Sequence, residues 1–194
     1  MPCILCKKPP KPICEKCLGN LNIQVREEKL FEVNGFSFCS YDSEFSVILN
    51  AIKENNLTSL VKPLVSRFSL DWPKPLENSC LVPVPSSFSN SRKRGFSHNK
   101  LFIQEFVKRV PGMQTSEILL SAKDRKDQTG LDAAQRASNM EQAFKVRAGF
   151  KQDRRYVLFD DISTTGATLS QAIAALREAG IEPAGYVVLA RSGA

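Results

Sequence analysis

The stretch Tyr156–Leu169, YVLFDDISTTGATL, constrains this chain more than any other. Tyr156 to Phe159 form an unbroken apolar run, the pattern of a strand buried on both faces in a parallel sheet. Two adjacent carboxylates, Asp160 and Asp161, stand where that strand should end. A small hydroxyl-rich turn follows, Ser163-Thr164-Thr165-Gly166-Ala167-Thr168, and opens directly into a helix with Leu169, Ile173 and Leu176 on one stripe. Backbone N–H groups at a helix start, helped by threonine hydroxyls, suit a phosphate. Carboxylates one turn upstream would repel a phosphate but accept hydrogen bonds from sugar hydroxyls. A ribose 5-phosphate satisfies both halves. A plain strand–turn–helix with an acidic tip and a cap is the alternative, because Asp and Thr favour such positions anyway. A Walker-type nucleotide loop is excluded, since no lysine follows Gly166.

The order of apolar strand, two acids and T-T-G-x-T resembles the loop of type I phosphoribosyltransferases that binds 5-phosphoribosyl-1-pyrophosphate (PRPP). By that resemblance Asp160 and Asp161 hold the ribose 2- and 3-hydroxyls. Ser163, Thr164, Thr165, Gly166, Ala167 and Thr168 cradle the 5-phosphate, and magnesium accompanies PRPP.

Residues 1–20 read as a separate module. Cys3-x-x-Cys6 and Cys14-x-x-Cys17 are knuckles joined by the Lys/Pro-rich loop Lys7–Ile13. Two such pairs let four thiolates converge on one ion, so Cys3, Cys6, Cys14 and Cys17 are expected to hold a structural zinc. Cys39 and Cys80 lie in apolar, strand-like contexts and are expected in the core. Residues 21–35 are a connector, and 36–194 form the phosphoribosyltransferase-like domain. The start Met1-Pro2-Cys3 shows no signal peptide and no apolar run approaches membrane-span length, which points to the cytoplasm.

After the connector, Phe36–Tyr41 alternates as a strand, and a helix from about Ser43 carries Phe45, Ile48, Leu49 and Ile52 on one face. From Ser79 the order becomes strand, helix, strand, repeatedly, the mark of a parallel α/β sheet. Cys80–Pro85 is a strand and 97–109 a helix. Leu119–Leu120 lies in a short strand, 132–140 is helical, Phe144–Val146 is extended, and Gly185–Ala190 is the last strand. The expected fold is therefore a Rossmann-like parallel sheet preceded by the zinc module.

Three further stretches resemble the ComF competence proteins. Val82-Pro-Val-Pro85 with Arg92-Lys-Arg-Gly-Phe96 is similar to that family's V-P-V-P…R-G-F-N-Q, except that Ser97-His98-Asn99 stands in place of N-Q. Gln128-x-x-Leu131, Arg136-x-x-Asn139 and Ala143-Phe144 match its Q-x-x-L…R-x-x-N…A-F. The knuckles, the Tyr41 strand and two helices complete the likeness, which covers nearly the whole chain. It implies a competence factor for natural transformation that handles incoming single-stranded DNA and binds PRPP, with competence-machinery proteins as partners. An active transferase with an unknown acceptor is the alternative. Ser86, Ser87 and Arg94, after the V-P-V-P strand, are candidates to contact pyrophosphate, since an arginine fork binds two oxygens at once. Lys123–Gln128 occupies the place of a loop that closes over PRPP. Arg136 and Asn139 share a helix face, as structural supports or, alternatively, as residues that read a ligand.

The formal net charge of +7 favours polyanions. Lys7, Lys8, Lys11 and Lys16 on the zinc module, with Lys151, Arg154 and Arg155, can track phosphates of a single strand. The chain lacks an obvious aromatic stacking platform, because most of its 12 phenylalanines fall on apolar stripes or strands. His98 is the only histidine and is expected at the surface without a role.

Overall fold

The computed structural model describes residues 1–85, 97–122, 143–150 and 152–192. Ser86, Ser87, Arg92, Lys93, Arg94, the 123–128 loop, the 132–140 helix with Arg136 and Asn139, and Lys151 lie outside the described residues. Within them the chain runs α1 (Glu15–Asn20), β1 (Ile23–Leu30), β2 (Val33–Ser40), α2 (Ser43–Lys53) and α3 (Val61–Phe68). It continues with β3 (Cys80–Pro83), α4 (His98–Val107), β4 (Gln114–Thr115), β5 (Leu119–Ser121) and β6 (Phe144–Val146). The last elements are β7 (Tyr156–Ser163), α5 (Ala167–Glu178) and β8 (Gly185–Arg191).

The central sheet has the order β1-β2-β8-β7-β3-β4, and β5 pairs with β6 apart from it. All neighbours in the six-stranded sheet are parallel except β1 and β2. The fold is thus α/β with a mostly parallel sheet, as the repeated strand–helix pattern implies. Because helices cover both faces, β7 and β8 need apolar residues on both sides. Tyr156–Phe159 and Tyr186–Ala190 are all buried. Val157, Phe159, Val187 and Leu189 face one core with residues of α2, α3 and α4, where the rings of Phe38, Phe68, Trp72 and Phe106 stack. Tyr156, Leu158, Tyr186 and Val188 face the other, with Leu169, Ile173 and Leu176 of α5.

The edges are blunted. β1 carries Arg26, Glu27, Glu28 and Lys29, and β4 is two residues long. Pro83 is tolerated in β3 for a positional reason. Val84 N donates to Phe159 O, so Pro83 would have donated away from β7, beyond the end of β4. Pro63 lies in the first turn of α3, where its missing N–H has no intrahelical acceptor anyway.

Two expectations are corrected here. Residues 21–35 are not a connector: they form β1 and the start of β2, an antiparallel pair built into the main sheet. The first 20 residues do not stand apart either, because Ile13 is buried in the core shared by α2, α3 and α4, with Ile4, Leu5 and Leu18 packed against it. Four successive charged residues, Arg26–Lys29, hide the strand character of β1, and β8, which ties the hairpin into the sheet through β2, is far away in sequence.

Gly35 lies opposite Tyr186, and a Cβ added at Gly35 would overlap the tyrosine ring. Gly35→Ala is therefore expected to destabilise the protein by about 1–3 kcal/mol. Urea unfolding reads this as a lower midpoint with an unchanged slope, and a wild-type midpoint would contradict this packing.

Candidate functional site

The sheet order creates one crevice by topology. The chain leaving β3 returns through α4 to β4 on one side, while the chain leaving β7 returns through α5 to β8 on the other. Among the described residues nothing crosses between the C-terminal ends of β3 and β7, and open α/β sheets bind ligands at such points. Asp160, Asp161 and the Ser163–Thr168 turn all lie at that end of β7.

The acids do not sit beyond the strand, as the apolar run suggested. β7 continues through them to Ser163, paired with β8 as far as Ser163 with Arg191. The two carboxylates consequently differ. Asp161 is 5 % exposed, and its Oδ2 lies 2.5 Å from Lys53 Nζ and 2.6 Å from His98 Nε2. Lys53 is the last residue of α2 and His98 the first of α4, so three elements converge on one oxygen. Burial pushes the Asp161 carboxyl up, but the His98 hydrogen bond and the Lys53 charge outweigh it and hold the group below its ordinary range. Asp160 is half-buried, and its Oδ1 accepts from Asn99 Nδ2 at 3.0 Å and from Asp161 N at 3.0 Å. Asn99 Nδ2 also donates to Val84 O at 3.0 Å, which ties α4 to the end of β3. Burial, and then the negative charge of Asp161, raise the Asp160 carboxyl above its ordinary range.

His98 is therefore not a surface residue. It is 4 % exposed and holds Asp161. Lys53, His98 and Asn99 are the site residues that sequence reading missed. The replacement of N-Q by Ser97-His98-Asn99 was the visible signal, and an amide does reach the site, from Asn99. Nothing local marked Lys53, whose partner is far along the chain.

The phosphate-type turn is open to solvent at Thr164, Thr165, Ala167 and Thr168, while Gly166 is buried. Gly166 caps α5 with φ of 78°, a left-handed conformation natural to glycine. An added Cβ there would come within 3.3 Å of Leu30, so β1 packs against the turn. Ser163 Oγ accepts from Arg191 Nη1 at 3.3 Å, and the same guanidinium lies 2.6 Å from Glu28 Oε2. A fixed cation thus stands at the entry to the turn.

The four knuckle cysteines are a second candidate site. The sulfurs of Cys3, Cys6, Cys14 and Cys17 lie within 4.8 Å of one another, an arrangement that can bind a structural metal such as zinc. The backbone prepares two of them as anions. Burial pushes the Cys3 thiol up, but N–H groups of Cys6, Cys14 and Leu5 aimed at it bring it down to about 6. The N–H of Cys17, donated to Cys14 Sγ, lowers the Cys14 thiol. Cys39 and Cys80 are buried in the core as expected. Lys7, Lys8, Lys11, Lys16, Arg154 and Arg155 are exposed, although Lys11 is paired with Glu15 at 2.7 Å. Among the described residues no helix is long and apolar enough to cross a membrane.

No family model matches the chain. Over 114 residues it is 30% identical to the Competence protein F of Haemophilus influenzae. The match covers 58% of this chain and 50% of that protein, so it spans about half the length of the relative. That homology bears out the ComF resemblance carried by the motifs.

Two outcomes follow from this geometry. Purified protein should carry one zinc per chain, and replacing Cys14 and Cys17 with serine should release it and loosen residues 1–20. Elemental analysis without zinc in the native protein would count against the assignment. Separately, Asp160 is harder to ionise folded than unfolded. Its contribution to stability is full below the ordinary carboxylate pKa and lost as pH rises through the folded value. Asp160→Asn removes that loss, so the variant should gain Tm over wild type as pH rises from about 4 to about 7. Asp161 behaves oppositely, its contribution being lost as pH falls. Thermal melts across that range that stay parallel would contradict the raised Asp160.

Proposed function

We propose, from this kinship with the ComF proteins, that the chain is a competence factor for natural transformation that binds PRPP or a related phosphosugar at the β3–β7 crevice. The observation that carries the reading is the half-buried Asp160 at a topological switch point, next to a solvent-facing Thr164–Thr168 turn at a helix start. Sugar hydroxyls find a carboxylate acceptor there, and a 5-phosphate finds backbone N–H groups and hydroxyls. Magnesium would accompany the diphosphate of PRPP, while Ser86, Ser87 and Arg94 would contact that diphosphate. Zinc at Cys3, Cys6, Cys14 and Cys17 would be structural. The exposed lysines of the zinc module are suited to phosphates of single-stranded DNA, met in the cytoplasm together with partners of the competence machinery.

The second reading, a transferase with an unknown acceptor, needs a group to position or deprotonate the acceptor. Between Asn34 and Trp72, where a hood over the acceptor would form, Tyr41, Asp42 and Glu44 are the candidates. Asp42 is already engaged as the N-cap of α2, accepting from Phe45 N at 2.8 Å. This favours a ligand-dependent factor over an enzyme.

Isothermal titration with Mg-PRPP should show binding that weakens at least tenfold in Asp160→Asn, a hydrogen bond to a charged group being worth roughly 1.5–3 kcal/mol. Single-stranded oligonucleotide should bind weakly, with a slope of log affinity against log salt of about −0.7 per neutralised phosphate. No pyrophosphate release is expected with a panel of nucleobases, and cells carrying Asp160→Asn should transform poorly. Robust release with one base would move the assignment to the transferase. Unaltered PRPP affinity in the variant would remove Asp160 from the site.

A further inference from the structure

The two acids expected to share the sugar are not equivalent, and the difference assigns a role to the single histidine. Asp161 has both its burial and its Oδ2 taken up by Lys53 and His98, at 2.5 and 2.6 Å. Its side chain is 7% exposed, which leaves a ligand no room to displace these partners without uncovering an unpaired charge. Asp160 is the more open of the pair, and its Oδ1 is held by Asp161 N within β7 and, from outside the strand, by Asn99. Asn99 is 1 % exposed, with its amide nitrogen divided between Val84 O and Asp160 Oδ1. It follows His98 directly at the start of α4, where Ser97 offers no side-chain cap. The His98 contact to Asp161 thus adds a second tie between this helix start and β7, beside the bond that Asn99 itself makes to Asp160. His98 Nδ1 is buried without a partner, so the imidazole has no other polar anchor among the described residues.

We propose that His98 is a positioning residue: by bridging Asp161 to the first turn of α4 it places Asn99, and Asn99 aims Asp160 as the carboxylate that receives ligand hydroxyls. Asp161 is then the fixed anion of the bridge and not a sugar ligand. This rests on the ribose-phosphate reading of the crevice. It adds a division of labour that the acid pair alone does not imply.

The test uses the full chain, with ribose 5-phosphate as the titrated probe. Asp160→Asn should lose affinity at least tenfold while melting no lower than wild type. Asp161→Asn should melt lower. His98→Phe should lose affinity about as far as Asp160→Asn, and His98→Gln, which keeps an N–H for Asp161, should restore most of it. A ligand-free readout accompanies these: the Asn99 side-chain amide protons, observed by NMR, should be protected from exchange in wild type and His98→Gln and unprotected in His98→Phe. His98→Asn, too short to reach Asp161, replaces the phenylalanine variant should that fail to fold. If the Asn99 amide ignores His98, or if Asp161→Asn melts normally yet loses the probe as Asp160→Asn does, the proposal is overturned. If wild type does not bind ribose 5-phosphate while the amide follows His98, the ligand reading falls and the positioning role stands.

Discussion

A carboxylate taken out of water must find compensating partners, and Asp161 finds them in two side chains from two different helices. Removing one partner of such a buried pair typically costs about 3–5 kcal/mol, because the other is left uncompensated. The consequence is mechanical. The end of α2, the start of α4 and the C-terminal end of β7 meet at a single oxygen, so none can shift without the others. The wall of the crevice is therefore set by the fold itself, through one shared carboxylate. Asp160, by contrast, is kept near another anion and partly dehydrated. The site tolerates a carboxylate that folding alone does not favour, a common mark of a group retained for binding.

The amino-terminal module depends on a different source of order. Twenty residues cannot bury enough apolar surface to fold alone, and four convergent thiols supply cohesion when a metal binds them. The module also contributes Ile13 and Leu21 to the main core, with Ile4, Leu5 and Leu18 packed against it. Its lysines are thus presented on a platform fixed to the sheet rather than on a loose tether.

What the sequence made legible follows the range of the interactions concerned. Unbroken apolar runs announced β7 and β8, because a strand covered on both faces has no polar alternation to confuse it. Helical stripes announced α2, α4 and α5, and cysteine spacing announced the thiol cluster, since these are local patterns. The parts that stayed hidden are pairings between distant residues. Nothing around Lys53 or His98 signals a shared carboxylate at Asp161, and nothing around Glu27 signals that its strand will join the sheet. The length of β7 was hidden for the same reason: hydrogen bonding to β8 carries the strand past the point where apolar residues stop.

The placement of β2 has a consequence for how this chain comes into being. Its neighbours are β1, immediately before it, and β8, the last strand, with Cys39 donating to Leu189 O across 150 positions. During synthesis the hairpin of β1 and β2 leaves the ribosome early, with Phe36 and Phe38 on a strand whose second edge has no partner. That edge stays open until β8, 150 positions further along, has been made. Long-range parallel pairing of this kind folds slowly and leaves an adhesive strand edge exposed meanwhile. The six-stranded sheet is closed by β8 sliding between two strands that have been waiting for it.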